Sequence, residues 1–113
     1  MSYCFLDSIC YVESKHQITA ISYNDGNSHS YGICQIKLST ARNLGFKGTA
    51  AQLMNPTTNI FYAAKYLSRQ ITRYHGNLHK AVIAYNRGSA RLLTKNSYTR
   101  HVWSAWEMQY VRR

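Results

Sequence analysis

The sequence predicts a single all-α domain over residues 1–113, with one small β-hairpin or loop excursion near residues 18 to 36. Three observations lead there. Apolar residues recur at three- and four-residue intervals through most of the chain, the period of a helix with one buried face. Its single proline and three of its six glycines fall where those periodic stretches begin or end. The main interruption, Asn24-Asp25-Gly26-Asn27-Ser28, is dense in turn-forming residues.

Phe5, Leu6, Ile9, Cys10 and Val12 predict a first helix from about Ser2 to Lys15. After the polar excursion, Ser39 is placed to cap a short helix that ends at Gly45. Thr49 and Gln52 have the spacing of a capping box and open a further helical turn. Asn55-Pro56 puts a capping residue before a proline at the first helical position. The helix that follows carries an apolar stripe of Ile60, Ala63, Leu67, Ile71 and Tyr74 and stops at Gly76. Lys65, Arg69 and Arg73 repeat on its other face, which reads as solvated. Asn77 caps a helix burying Leu78, Ala81, Val82, Ala84 and Tyr85, which Gly88 ends. Tyr98, Val102, Ala105, Trp106 and Tyr110 form a closing helix.

Composition narrows the function. The chain has 113 residues, enough for one core that buries roughly two thirds of the unfolded surface. No apolar run approaches the roughly 20 residues that span a bilayer, so no transmembrane segment is expected. The first residues lack a basic and then apolar leader, so no secretory signal is expected in this chain. Cys4, Cys10 and Cys34 are odd in number and contain no Cys-x-x-Cys, so neither a disulfide framework nor a structural zinc site is expected. Fourteen Lys and Arg against four acids give a formal charge of +10, a field that attracts nucleic acid, anionic membrane or an acidic polymer such as the bacterial wall.

The shortage of acids is the sharper clue. Asp7, Glu13, Asp25 and Glu107 are the only carboxylates available for acid/base work. Glu13 falls in the last turn of the first helix, where the helix dipole disfavours negative charge and raises a carboxyl pKa. Apolar walls would raise it further, giving the protonated carboxyl that a general acid needs. On this feature alone, an exposed glutamate at a frayed helix end is the simpler reading. Asp7 lies on another face of the same helix and suits its positive end, while Glu107 has Lys and Arg nearby to pair with. Most glycosidases flank the scissile bond with two carboxyl groups. Asp25 is the best second candidate, although a turn residue bonding its own backbone explains it more simply.

Four segments occur in a telling order: Glu13-Ser14; Gly32-Ile33-Cys34-Gln35-Ile36; Asn55-Pro56-Thr57-Thr58-Asn59-Ile60; and Ala84-Tyr85-Asn86-Arg87-Gly88. They resemble the Glu-Ser, Gly-Leu-Met-Gln-Ile, Asn-Pro-x-x-Asn-Ile and Ala-Tyr-Asn-x-Gly motifs of soluble lytic transglycosylases, in the goose-type lysozyme-like superfamily. Ala20 to Gly26 is most similar to the small members that accompany secretion and conjugation machines or phage particles. The resemblance runs from about Phe5 to Gly88.

That resemblance implies a lysozyme-like fold with Glu13 at the floor of a glycan cleft. It implies cleavage of the β-1,4 bond between N-acetylmuramic acid and N-acetylglucosamine, Glu13 serving first as acid and then as base. The muramic C6 hydroxyl closes on C1 to leave a 1,6-anhydro end, so no second carboxylate is required. Ser22 matches a serine that binds the acetamido group or C6 hydroxyl, and Gln35 a cleft glutamine. Tyr85 and Asn86 match the tyrosine that hydrogen-bonds the catalytic glutamate and its neighbour. Read without the resemblance, Ser22 and Asn86 cap turns, and Gln35 and Tyr85 satisfy buried backbone. Cys34 stands where the family has methionine, and Arg87 and Ser89 where it more often has small residues and proline. Trp103 and Trp106 are either core or a sugar-stacking surface.

The partner implied is the peptidoglycan glycan strand, met by a monomer with no cofactor and no metal. Action at the bacterial wall without a signal implies delivery from a phage virion or host cell, or a piece of a longer protein. Two other readings remain. One is a hydrolysing lysozyme using Glu13 with Asp25 or a bound water. The other is a nucleic-acid-binding module, against which the basic residues are scattered from Lys15 to Arg113 with no recognisable motif, so no specific nucleic acid is expected.

Overall fold

The computed structural model describes residues 3–23, 28–87 and 97–108. Its elements in chain order are α1 (Tyr3–Ser14), β1 (Ile21–Ser22), β2 (Ser30–Tyr31), β3 (Ile36–Lys37), α2 (Leu38–Asn43), α3 (Ala50–Leu53), α4 (Pro56–Arg73), α5 (Leu78–Arg87) and α6 (Ser97–Trp106). The expected class holds: a helical, lysozyme-like body with a small β excursion. The excursion is an antiparallel sheet in the order β1-β2-β3, with Ile21 opposite Tyr31 and Tyr31 opposite Ile36. Asp25, Gly88, Ser89 and Tyr110 lie outside the described residues.

Local signals placed most helix ends. Thr49 and Gln52 form a reciprocal capping box, the Thr49 hydroxyl accepting from the Gln52 N–H at 3.2 Å and Gln52 Oε1 accepting from the Thr49 N–H at 2.8 Å. Asn55 caps α4 through the Thr58 N–H, with Pro56 at the first helical position. Asn77 accepts from the Lys80 N–H at 3.1 Å. After α2, the Gly45 N–H reaches Arg42 O and the Phe46 N–H reaches Ala41 O, a Schellman closure with Gly45 at φ 106°.

Ser39 is not a cap. Helix α2 starts at Leu38 with Lys37 in the cap position and no side-chain cap, and the Ser39 N–H instead donates to the Ser28 hydroxyl. The loop therefore supplies the acceptor that the helix's own sequence lacks. The stripe on α4 holds at Ala63 and Leu67, which are buried, and at Ile71 and Tyr74, which pack against buried residues, while Asn59 and Gln70 are also buried and Ile60 is 37% exposed. Asn59 can be buried because three backbone partners sit around it. The basic face of α4 is exposed at Lys65, Arg69 and Arg73, as expected, and two of these side chains make further contacts. Lys65 Nζ donates to Leu44 O at 3.0 Å and lies over Phe61, while Arg73 donates to Gln70 Oε1 and lies over Tyr74.

The core joins Leu6, Ile9 and Cys10 of α1 to Ile36, Leu53, Leu67, Val82 and Val102. α6 packs on α1, and α5 packs on α4. Trp103 and Trp106 belong to the α1–α6 contact, with ring centroids 4.8 Å and 6.0 Å from Phe5, and His79 stacks on Trp103 at 4.3 Å. Cys10 and Cys34 form a disulfide within the core, contrary to the expectation from cysteine count. Cys4 takes no part in that bridge. Asp7 does not serve the positive end of its helix. It pairs at 3.0 Å with His16, which left-handed Lys15 and His16 turn back toward α1. Among the described residues, no helix is long and apolar enough to cross a membrane.

Candidate functional site

One loop organises the site. Residues 31 to 34 present four successive backbone carbonyls, and each accepts a hydrogen bond from a side chain, three of them from elsewhere in the fold and one from Gln35 of the same loop. Tyr31 O accepts from Asn59 Nδ2 at 2.7 Å, Gly32 O from Gln35 Nε2 at 2.9 Å, Ile33 O from the Ser14 hydroxyl at 2.6 Å, and Cys34 O from the Tyr85 hydroxyl at 2.9 Å. Asn59 also accepts from the Cys34 N–H at 2.9 Å and donates to Leu53 O at 2.9 Å. Buried backbone groups left unpaired are costly, so these side chains fix the loop in one conformation. The disulfide holds the same loop to α1 one helical turn before Glu13.

Gly32 is required for this arrangement. Its φ is +80°, and a Cβ built on it would stand 2.5 Å from Asn59 Nδ2. Gln35 also adopts a left-handed backbone, φ 55°, uncommon for a residue with a side chain. Its Nε2 turns back to Gly32 O and Ala20 O, and its buried Oε1 has no partner among the described residues.

Beside the loop lies a cleft of about 400 Å³ lined by Glu13, Ser22, Gln35, Tyr85 and Asn86, together with Ser30, Lys37, Thr40, Tyr66 and Arg87. All five residues singled out from sequence as catalytic or substrate-binding therefore meet in one place. Glu13 is the only carboxylate among the described residues of the lining. Burial holds its carboxyl above the usual glutamate range, while hydrogen bonds from Tyr98 and Asn86 draw it back down. Tyr98 Oη donates to Glu13 Oε2 at 2.6 Å. Burial and then the Glu13 charge push the Tyr98 hydroxyl far above its ordinary range, so it stays a donor.

Tyr85 is placed differently from its matched role. Its hydroxyl donates to Cys34 O and not to Glu13. Tyr98, from α6, is the tyrosine on the glutamate. Sequence reasoning left Tyr98 as a helix residue because no local motif surrounds it and 85 positions separate it from Glu13. Lys37 and Arg87 also reach the cleft without having been singled out as binding residues. Among the described residues, no cluster of three or more His, Cys, Asp or Glu is placed to hold a metal ion.

The transglycosylase SLT domain family matches residues 2–105. The chain belongs to that family. The peptidoglycan transglycosylase gp16 of Escherichia phage T7 is similar to this SLT domain, with 33% identity over 95 residues, 81% of the chain. The matched region is only 7% of the phage protein's length. No solved structure matches this chain. Each family-like segment has a physical task here: Ser14, Asn59 and Tyr85 lock the loop, and Glu13, Gln35 and Asn86 face the cleft.

Proposed function

We propose that this domain is a lytic transglycosylase acting on the glycan strands of bacterial peptidoglycan, with Glu13 as its single acid/base group. The observation that carries the reading is the environment of Glu13. A partly buried carboxyl with a raised pKa stands in a cleft whose other described lining residues carry no carboxylate. One carboxyl that holds and returns one proton is sufficient for non-hydrolytic cleavage, whereas two-carboxylate hydrolysis needs a second.

In the proposed reaction, Glu13 gives its proton to the glycosidic oxygen as the bond from muramic C1 breaks, and N-acetylglucosamine leaves with a new hydroxyl. The muramic C6 hydroxyl then attacks C1, and its proton passes to the Glu13 carboxylate. The enzyme ends as it began and no water is consumed. Tyr98 supports the carboxylate while it is charged, since a hydrogen bond to the ionised form stabilises it. Gln35, Ser22 and Asn86, which line the cleft, would hold the sugar's polar groups in this reading. Ser22 is exposed at the edge strand β1 and Asn86 is exposed near the end of α5.

Mass spectrometry of the fragments released from purified peptidoglycan tests this reading. Muramic ends in the 1,6-anhydro form, lighter by one water than hydrolysed ends, are expected. Fully hydrated reducing ends would assign the chain to the hydrolysing lysozymes and return Asp25 to consideration.

A further inference from the structure

Two basic side chains in the cleft have no task in the chemistry above. Lys37 closes β3 and stands at the cap position of α2, and Arg87 is the last residue of α5. Both are exposed and both line the cleft that holds Glu13. Neither has an ion-pair partner among the described residues. With Glu13 protonated, the described lining therefore carries two positive charges and no negative one.

A glycan strand is neutral along its sugar backbone. Its anionic handle beside the scissile bond is the lactyl arm of muramic acid, which ends either in a free carboxylate or in a peptide stem bearing carboxylates of its own. We infer that Lys37 and Arg87 form an anion-binding subsite that receives a carboxylate borne on the muramic lactyl arm, so that this enzyme selects anionic over neutral glycan. The inference rests on the peptidoglycan reading, and it makes Lys37 and Arg87 determinants of substrate choice with no role in proton transfer.

The test uses three soluble glycan fragments of equal length: one with peptide stems, one stripped to the free lactyl carboxylate, and one stripped and then converted to the neutral methylamide. kcat and KM are measured on each for the parent, for Lys37→Gln/Arg87→Gln, and for the charge-preserving exchange Lys37→Arg/Arg87→Lys. The parent should favour at least one anionic fragment over the neutral one by roughly tenfold in kcat/KM, about the worth of one charge-assisted hydrogen bond. Preference for the stripped acid assigns the carboxylate to the lactyl arm itself, and preference for the stem-bearing fragment assigns it to the peptide. The double glutamine variant should lose the preference through KM, and the exchange variant should keep it. Equal treatment of all three fragments by the parent, or a preference that survives in the double glutamine variant, would overturn the inference while leaving the reaction intact. Failure of the parent to cleave any fragment would count against the reaction itself. Calorimetric Kd values on the same three fragments then read the charge preference directly, by the same criteria.

Discussion

Tyr98 and Glu13, 85 positions apart, share a 2.6 Å hydrogen bond that ties α6 to the last turn of α1. The tyrosine does more than steady a side chain. Burial favours the protonated carboxyl and the tyrosine favours the ionised one. In the proposed reaction Glu13 visits both states, first as acid and then as base.

Tyr98→Phe should shift that balance. Losing a bond that lowers the Glu13 pKa moves that pKa further up, so the alkaline limb of the kcat profile should move to higher pH. The maximum rate should fall by up to about a hundredfold as the carboxyl loses its fixed position. A rate profile against pH checks both effects, and an unmoved alkaline limb would detach Tyr98 from the chemistry.

Glu13→Gln should stabilise the fold at neutral pH. A carboxyl whose pKa is raised on folding contributes stability below its unfolded value of 4.5, and that contribution is lost as pH rises through the raised folded value. The amide does not ionise and escapes this loss. Thermal unfolding of parent and variant should show the gap in Tm at pH 7 and a smaller gap at pH 4.

Opening the Cys10–Cys34 bridge should destabilise the protein by roughly 2–4 kcal/mol, the usual effect of releasing a loop of this size. Activity should fall with it, because the bridge joins the helix of Glu13 to the loop of Gln35. Unfolding and turnover with and without a thiol reductant, beside Cys10→Ser/Cys34→Ser, give the measurement. A double serine variant as stable as the parent would show the bridge to be energetically idle.

Asn59→Ala should cost roughly 3 kcal/mol or more, since Tyr31 O, Leu53 O and the Cys34 N–H all lose their partner inside the protein. Gly32→Ala should be comparably damaging, because it adds a clash with Asn59 to a left-handed backbone. Chemical denaturation of both variants reads the effect. Substitutions tolerated without loss would mean that the loop is not held by these contacts.

How far the sequence could be read depended on range. The caps Thr49 with Gln52, Asn55 with Pro56, and Asn77 were legible because each works within a few residues of itself. The motif order brought Glu13, Gln35, Tyr85 and Asn86 to attention, and they meet in one cleft. Spacing could not reveal pairs that only the fold creates. Cys10 meets Cys34 across 24 positions, Tyr98 meets Glu13 from the far end of the chain, and the Tyr85 hydroxyl is spent on Cys34 O. On α4, hydropathy could not reveal that Asn59, beside Ile60, takes a fully buried position, because its three hydrogen bonds exist only in the fold.

The most direct measurement is turnover of purified peptidoglycan by Glu13→Gln, run beside the parent with folding verified by thermal unfolding. An amide cannot donate the proton, and loss of general acid/base function costs about 100- to 10,000-fold. The account predicts a folded variant whose release of 1,6-anhydro ends falls by that factor. A folded Glu13→Gln enzyme that released those ends at the parent's rate would contradict it.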